Sequence, residues 1–136
     1  MQMVFMAHSG VRYLVLLAGL VAVLYFAWAV ASKKGNARTS LVLGSIFTGV
    51  LDLQVVLGLI LVALGLYYPA LLGHLFMMLF ATVCAHVAMV MAKSSPDQAR
   101  ANRLRLAGVV VAIVLIVGGI LSIGRSVFGS GAPSIS

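Results

Sequence analysis

The chain predicts an all-α integral membrane protein folded as a four-helix up-down-up-down bundle. Of its 136 residues, 63% are hydrophobic and only 8% are charged, the apolar residues gather into four long runs, and short polar or turn-forming stretches separate those runs. A soluble domain of this size could not bury so much apolar surface. The runs cover about 13–31, 41–68, 70–92 and 106–124. Each is near or above the roughly 20 residues a helix needs to cross about 30 Å of hydrocarbon. They are continuous rather than alternating, which excludes a transmembrane barrel.

The first run closes at Ala29-Val30-Ala31, a small-residue stretch like a signal-peptidase site. Lys33 and Lys34 follow the run instead of preceding it, so the expectation is an uncleaved span. Ser32 to Ser40 form a short polar loop, and Tyr67-Tyr68-Pro69 turn the chain into the third run. Lys93 to Arg105 form the third loop, in which Ser94-Ser95-Pro96-Asp97 read as a turn and helix start. Loops this short make neighbouring helices antiparallel and place the first and third on a diagonal, parallel to each other. Residues 1–128 read as one transmembrane domain and 129–136, rich in Gly, Ser and Pro, as a flexible tail. Tyr13, Trp28, Tyr67 and Tyr68 fall near span ends, where aromatic residues anchor at the headgroups. The single cysteine, Cys84, has no partner for a disulfide within the chain.

The net charge of +7 would suggest nucleic acid in a soluble protein, but the positions of the charges exclude that reading. Lys33, Lys34, Arg38, Lys93, Arg100, Arg103 and Arg105, seven of the nine basic residues, fall in the first and third loops, and the second loop has none. The tendency of Lys and Arg to remain cytoplasmic predicts that both termini lie outside. The basic loops also suit anionic headgroups of the bilayer.

His8 stands just before the first run and His74 opens the third. Because those helices run the same way, both imidazoles should meet near the outer face. Two facing imidazoles across a bundle suit one heme b, with His8 and His74 as its axial ligands. His86 lies twelve residues past His74, about 18 Å deeper and about 120° around the helix, so it cannot share an iron with either. Heme propionates need cationic partners. Arg12, four residues after His8, and Arg125, at the outer end of the fourth helix, are the candidates, with snorkelling to headgroups as the alternative for each. Gln54, Gly58 and Gly65 share one face of the second helix, and Gly118, Ser122 and Arg125 one face of the fourth. Such faces serve helix packing. Gly58, Gly65, Gly118 and Ser122 also fall at the histidine level, where a bulky cofactor would need clear space. Met77 and Met78 read as packing rather than as ligands.

Asp52 is a carboxylate well inside the second helix, with Ser45 and Thr48 continuing its face, and His86 lies near its depth with Thr82 on its own face. The expectation is a buried Asp52–His86 hydrogen bond, either structural or proton-handling. Zinc is excluded because His8, His74, His86, Cys84 and Asp52 are too dispersed to converge. With Asp52 and Asp97 the only acids, paired-carboxylate chemistry is excluded, and no hydrolase triad, phosphate loop or nucleotide fingerprint occurs.

The segments His8-Ser9-Gly10-Val11-Arg12-Tyr13, Gln54-Val55-Val56-Leu57-Gly58 and His74-Leu75-Phe76-Met77-Met78 resemble small bacterial four-span membrane proteins described as cytochrome b-like. The resemblance covers the first three helices in order. It implies a heme b protein of the bacterial inner membrane in which His8, His74 and Arg12 match family residues. The chain departs from the pattern at Asp52, where a histidine would be expected, and at His86, where none would. Electron transfer between a membrane quinol and an outer acceptor is the leading functional expectation. Its rivals are a cofactor-free accessory subunit of a larger respiratory or photosynthetic complex, or a self-associating bundle, and a small proton-coupled transporter using Asp52 and His86.

Overall fold

A computed structural model describes residues 1–129; residues 130–136, and with them most of the expected tail, lie outside the described residues. The described residues form four helices, α1 (Gln2–Ser32), α2 (Ala37–Ala63), α3 (Leu71–Lys93) and α4 (Gln98–Ser122). Each is long and apolar enough to cross a membrane.

The helices begin and end at local signals rather than at the edges of the apolar runs. α1 starts at Gln2, well before the first run, because nothing in Met3 to Ala7 interrupts it, and His8 and Arg12 therefore stand on the helix itself. Asn36 caps α2, its Oδ1 accepting the Arg38 and Thr39 amides at 2.8 and 3.2 Å. α2 stops at Ala63, and Gly65 then takes φ +99°, a conformation that favours glycine. Asp97 caps α4 by accepting the Ala99 amide at 3.0 Å, so Arg100, Arg103 and Arg105 are helical. The third loop is thus Ser94 to Asp97, shorter than the sequence suggested.

Sequential helices pack side by side, α1 also packs on α4, and α1 and α3 lie on a diagonal. The α3–α4 seam is the closest. A Cβ at Gly108 would overlap that of Ala88, so the two backbones meet there only because Gly108 has none. The seam between α2 and α3 is the most open of the sequential pairs. Val15, Ala22, Phe26, Phe47, Leu51, Ala81, Ala85, Val109 and Ala112 fill the core. Leu17, Leu24, Val83, Val87 and Val114 stay exposed on the outside, as a bundle whose solvent is lipid requires. The basic end is tied by polar contacts: buried Ser40 donates its hydroxyl to Asn102 Oδ1 at 2.9 Å, and the Asn36 amide donates to the Tyr25 hydroxyl at 2.9 Å. The histidine end holds the cavity described next.

Candidate functional site

At the end opposite the basic loops, α1 and α3 reach across the diagonal through their histidines. The His8 and His74 ring centroids are 6.5 Å apart, with planes crossing at 82°. Each ring is fixed by a neighbouring helix. His8 Nδ1 donates to the Gln54 carbonyl at 3.1 Å, and His74 Nδ1 donates to the Gly119 carbonyl at 2.9 Å. A ring nitrogen facing a carbonyl carries the proton, so the remaining lone pair of each imidazole is on Nε2. This is the arrangement typical of metal-ligating histidines, whose second nitrogen is held by a backbone acceptor.

Two glycines permit that approach. A Cβ at Gly58 would come within 3.1 Å of His8 Cε1, and one at Gly119 within 3.3 Å of His74 Nδ1. Gly58 was legible on its helix face; Gly119 was not, because periodicity selected its neighbour Gly118. Gly118 packs against Met77 instead, Gly65 belongs to the turn after α2, and Ser122 returns its hydroxyl to the Gly119 carbonyl at 2.8 Å. None of the three lines the cavity.

The cavity between the rings is lined by His8, His74, Gln54, Gly58, Arg12 and Arg125 together with apolar residues including Phe5, Leu51, Met78, Ile116 and Ile120. Its open volume is about 70 Å³, room for a few water molecules. The Gln54 amide nitrogen lies 3.4 Å from His8 Nε2, and Gln54 Oε1 is buried without a hydrogen-bond partner. Gln54 is only 7% exposed, and sequence reasoning placed it on the right face without giving it the role of holding His8.

Both arginines named from the sequence reach this cavity. Arg12 donates through Nη2 to the Gly129 carbonyl at 2.8 Å and the Tyr13 hydroxyl at 3.0 Å, while its Nε is buried with no partner. The Tyr13 hydroxyl donates onward to the Phe128 carbonyl at 3.2 Å, so the segment after α4 is tied back to α1. Arg125 lies beyond the end of α4 and stacks over Phe5, its guanidinium carbon 5.0 Å from the ring centroid.

Asp52 and His86 do meet, His86 Nε2 lying 2.8 and 3.0 Å from the two carboxylate oxygens. The expected burial is corrected: the side chains of His86 and Asp52 are 48% and 43% exposed. The pair bridges the open α2–α3 seam, and both helices turn it outward. Among the described residues no three His, Cys, Asp or Glu side chains gather as a metal site, so what the cavity offers is a pair of imidazoles. No protein-family model, curated protein or solved structure matches the chain.

Proposed function

We propose that this chain is a membrane heme b protein that passes electrons between a quinol in the bilayer and an acceptor at the outer face, with one heme held between His8 and His74. The observation that carries the reading is the separation and anchoring of the two rings. Two metal–nitrogen bonds of about 2 Å, each continued by about 1.1 Å to the ring centre, put the centroids of two axial imidazoles about 6.2 Å apart. The observed value is 6.5 Å, and in both rings it is Nδ1 that is tied to a carbonyl.

The donor set suits the group; the space suits it only if lining side chains turn aside. At about 70 Å³ the cavity is smaller than a macrocycle. Leu61, Leu66, Leu71 and Met78 in its lining are unbranched at Cβ and can change rotamer, and the α2–α3 seam beside it is the loosest between sequential helices. The Gln54 amide must also swing away from His8 Nε2. Arg12, with a buried donor that has no partner, and Arg125 supply the cations a pair of propionates needs.

When bound, heme supplies reversible one-electron chemistry at iron, at a potential set by axial ligands, burial and nearby charge. The chain's part is to orient two neutral imidazoles, exclude water with the apolar lining, and hold positive charge at one edge. The charge distribution supports an inner-membrane orientation with both termini outside, which sets the site near the outer face. The kinship suggested by the three motifs, to small bacterial cytochrome b-like proteins, is part of the same proposal.

The test is a reduced-minus-oxidised spectrum of detergent-purified protein, as isolated and after added hemin. A Soret band and a sharp α-band are expected, lost in His8→Ala and His74→Ala and kept in His86→Ala. Protein that neither carries nor takes up heme would end the proposal.

One observation favours a second reading, an accessory subunit of a larger membrane complex or a self-associating bundle. The Asp52–His86 pair faces outward at a depth where lipid solvates it poorly, and a partner helix would cover it. A colourless protein that co-migrates with other membrane subunits, and loses them in Asp52→Leu, would support this reading.

A further inference from the structure

At the basic end, far from the histidine pair, a second cleft opens between α2 and α3. Leu41, Ser45, Thr48, His86, Met89, Val90, Lys93 and Arg105 line it, and its volume is about 120 Å³. Arg105 is only 5% exposed, and its Nη1 is buried with no hydrogen-bond partner. A charged donor nitrogen withdrawn from water without an acceptor is costly, and it calls for an anionic or carbonyl partner. The chain has only two acidic side chains with which to answer it. Asp52 is engaged with His86, and Asp97 caps α4. Among the described residues no acidic side chain is left to pair with Arg105, which points to a counter-anion from outside the chain.

We propose that this cleft binds the phosphate of an anionic glycerophospholipid from the leaflet at the basic end, with Arg105 at its floor and Lys93 at its rim. The side chain of a helical residue leans toward the helix N-terminus, which for Arg105 is the basic end, so its guanidinium rises toward the level of Lys93. Gly44 makes room for Met89, whose Sδ would lie 2.7 Å from a Cβ there, and the Arg105 Cδ lies alongside at ordinary contact distance, 3.9 Å. Thr48 spends its proton on the Gly44 and Ser45 carbonyls, whereas exposed Ser45 has its hydroxyl free to donate to a phosphate oxygen.

The shape of the cleft selects a lipid over a soluble anion. It opens sideways, between Leu41 at 42% and Val90 at 67% exposure, onto the surface that faces hydrocarbon. Acyl chains can lie along those residues while the headgroup enters. Lys34, Arg38, Arg100 and Arg103 around the same end enrich anionic lipid nearby without forming the site.

The experiment is native mass spectrometry of the full chain titrated with phosphatidylglycerol, phosphatidylcholine of the same acyl chains, or inorganic phosphate. One phosphatidylglycerol is expected to bind on the order of tenfold or more tighter than phosphatidylcholine. Arg105→Gln should erase that preference, and Lys33→Ala with Lys34→Ala should keep it. If Arg105→Gln does not fold, Lys93→Ala with Ser45→Leu carries the same test from the rim. Equal binding of the two lipids, a preference that survives in folded Arg105→Gln, or inorganic phosphate displacing the lipid at equal concentration would each overturn the proposal. The site lies at the opposite end from His8 and His74, so heme binding does not enter the result.

Discussion

His8 and His74 face each other at 6.5 Å between centroids and 82° between planes, although the helices that carry them are diagonal partners. The span is bridged by side chains alone. Each ring hangs on a carbonyl of a flanking helix, Gln54 on α2 and Gly119 on α4, so all four helices contribute to one geometry.

Gly58 should be intolerant of branching. A Cβ there would stand 3.1 Å from His8 Cε1, and the two methyl groups of valine would push the ring off the Gln54 carbonyl. For the heme proposed above, Gly58→Val is expected to change the spectrum from six-coordinate low-spin to a form lacking the proposed His8 ligand, with helicity by circular dichroism unchanged. A low-spin spectrum identical to wild type would show that His8 is not held as described.

Arg12 bears on both stability and potential. Its bonds to Gly129 and Tyr13 are made by a charged donor, so Arg12→Gln should cost about 2 kcal/mol in reversible unfolding. For the proposed heme, removing a cation beside it favours the oxidised state, so its midpoint potential should fall. Tyr13→Phe keeps that charge and is expected to leave the potential in place while losing part of the stability.

Gly108 tests the closest helix contact. Gly108→Ala puts a methyl group onto Ala88, and the seam must spread, at about 1–3 kcal/mol. Ala88→Gly in the same chain should restore most of the loss. Additive effects of the two substitutions would contradict the contact.

The Asp52–His86 pair should be a modest structural link. A double-mutant cycle with Asp52→Asn and His86→Gln is expected to give a coupling of about 0.6 kcal/mol, and less than about 2 kcal/mol, as for other interhelical polar contacts in membranes. Neither variant should alter the spectrum of the proposed heme. Proton-coupled uptake that disappears in Asp52→Asn would instead favour a transport role.

Particular residues mark what sequence reading could place in the bundle. The depth argument for His8 and His74 needed only helix rise, short loops and antiparallel neighbours, and the rings do meet. Arg12 and Gly58 followed from four-residue spacing and a shared face. The Asp52–His86 contact was legible from depth, but its exposure was not, because periodicity gives the angle between residues and not which sector of a helix its neighbours cover. Arg105 was read as a loop charge, since the cap at Asp97 that starts α4 early is a local hydrogen bond whose consequence reaches two turns further.

The amino-acid order by itself determined four apolar helices, their alternating direction and the end of the bundle at which each charge and each imidazole lies. These follow from hydrocarbon thickness, helix rise and the cost of exposing peptide groups to lipid, which act on every segment separately. Only the tertiary structure decided that Gly119 rather than Gly118 faces His74, that the Gln54 carbonyl holds His8, and that Asp52 looks outward while Arg105 is enclosed. Those outcomes depend on how far each helix rotates about its axis, and that rotation is set by the joint fit of all four, with Gly108 against Ala88 and Gly19 against Phe47 and Ile113 among the contacts that fix it.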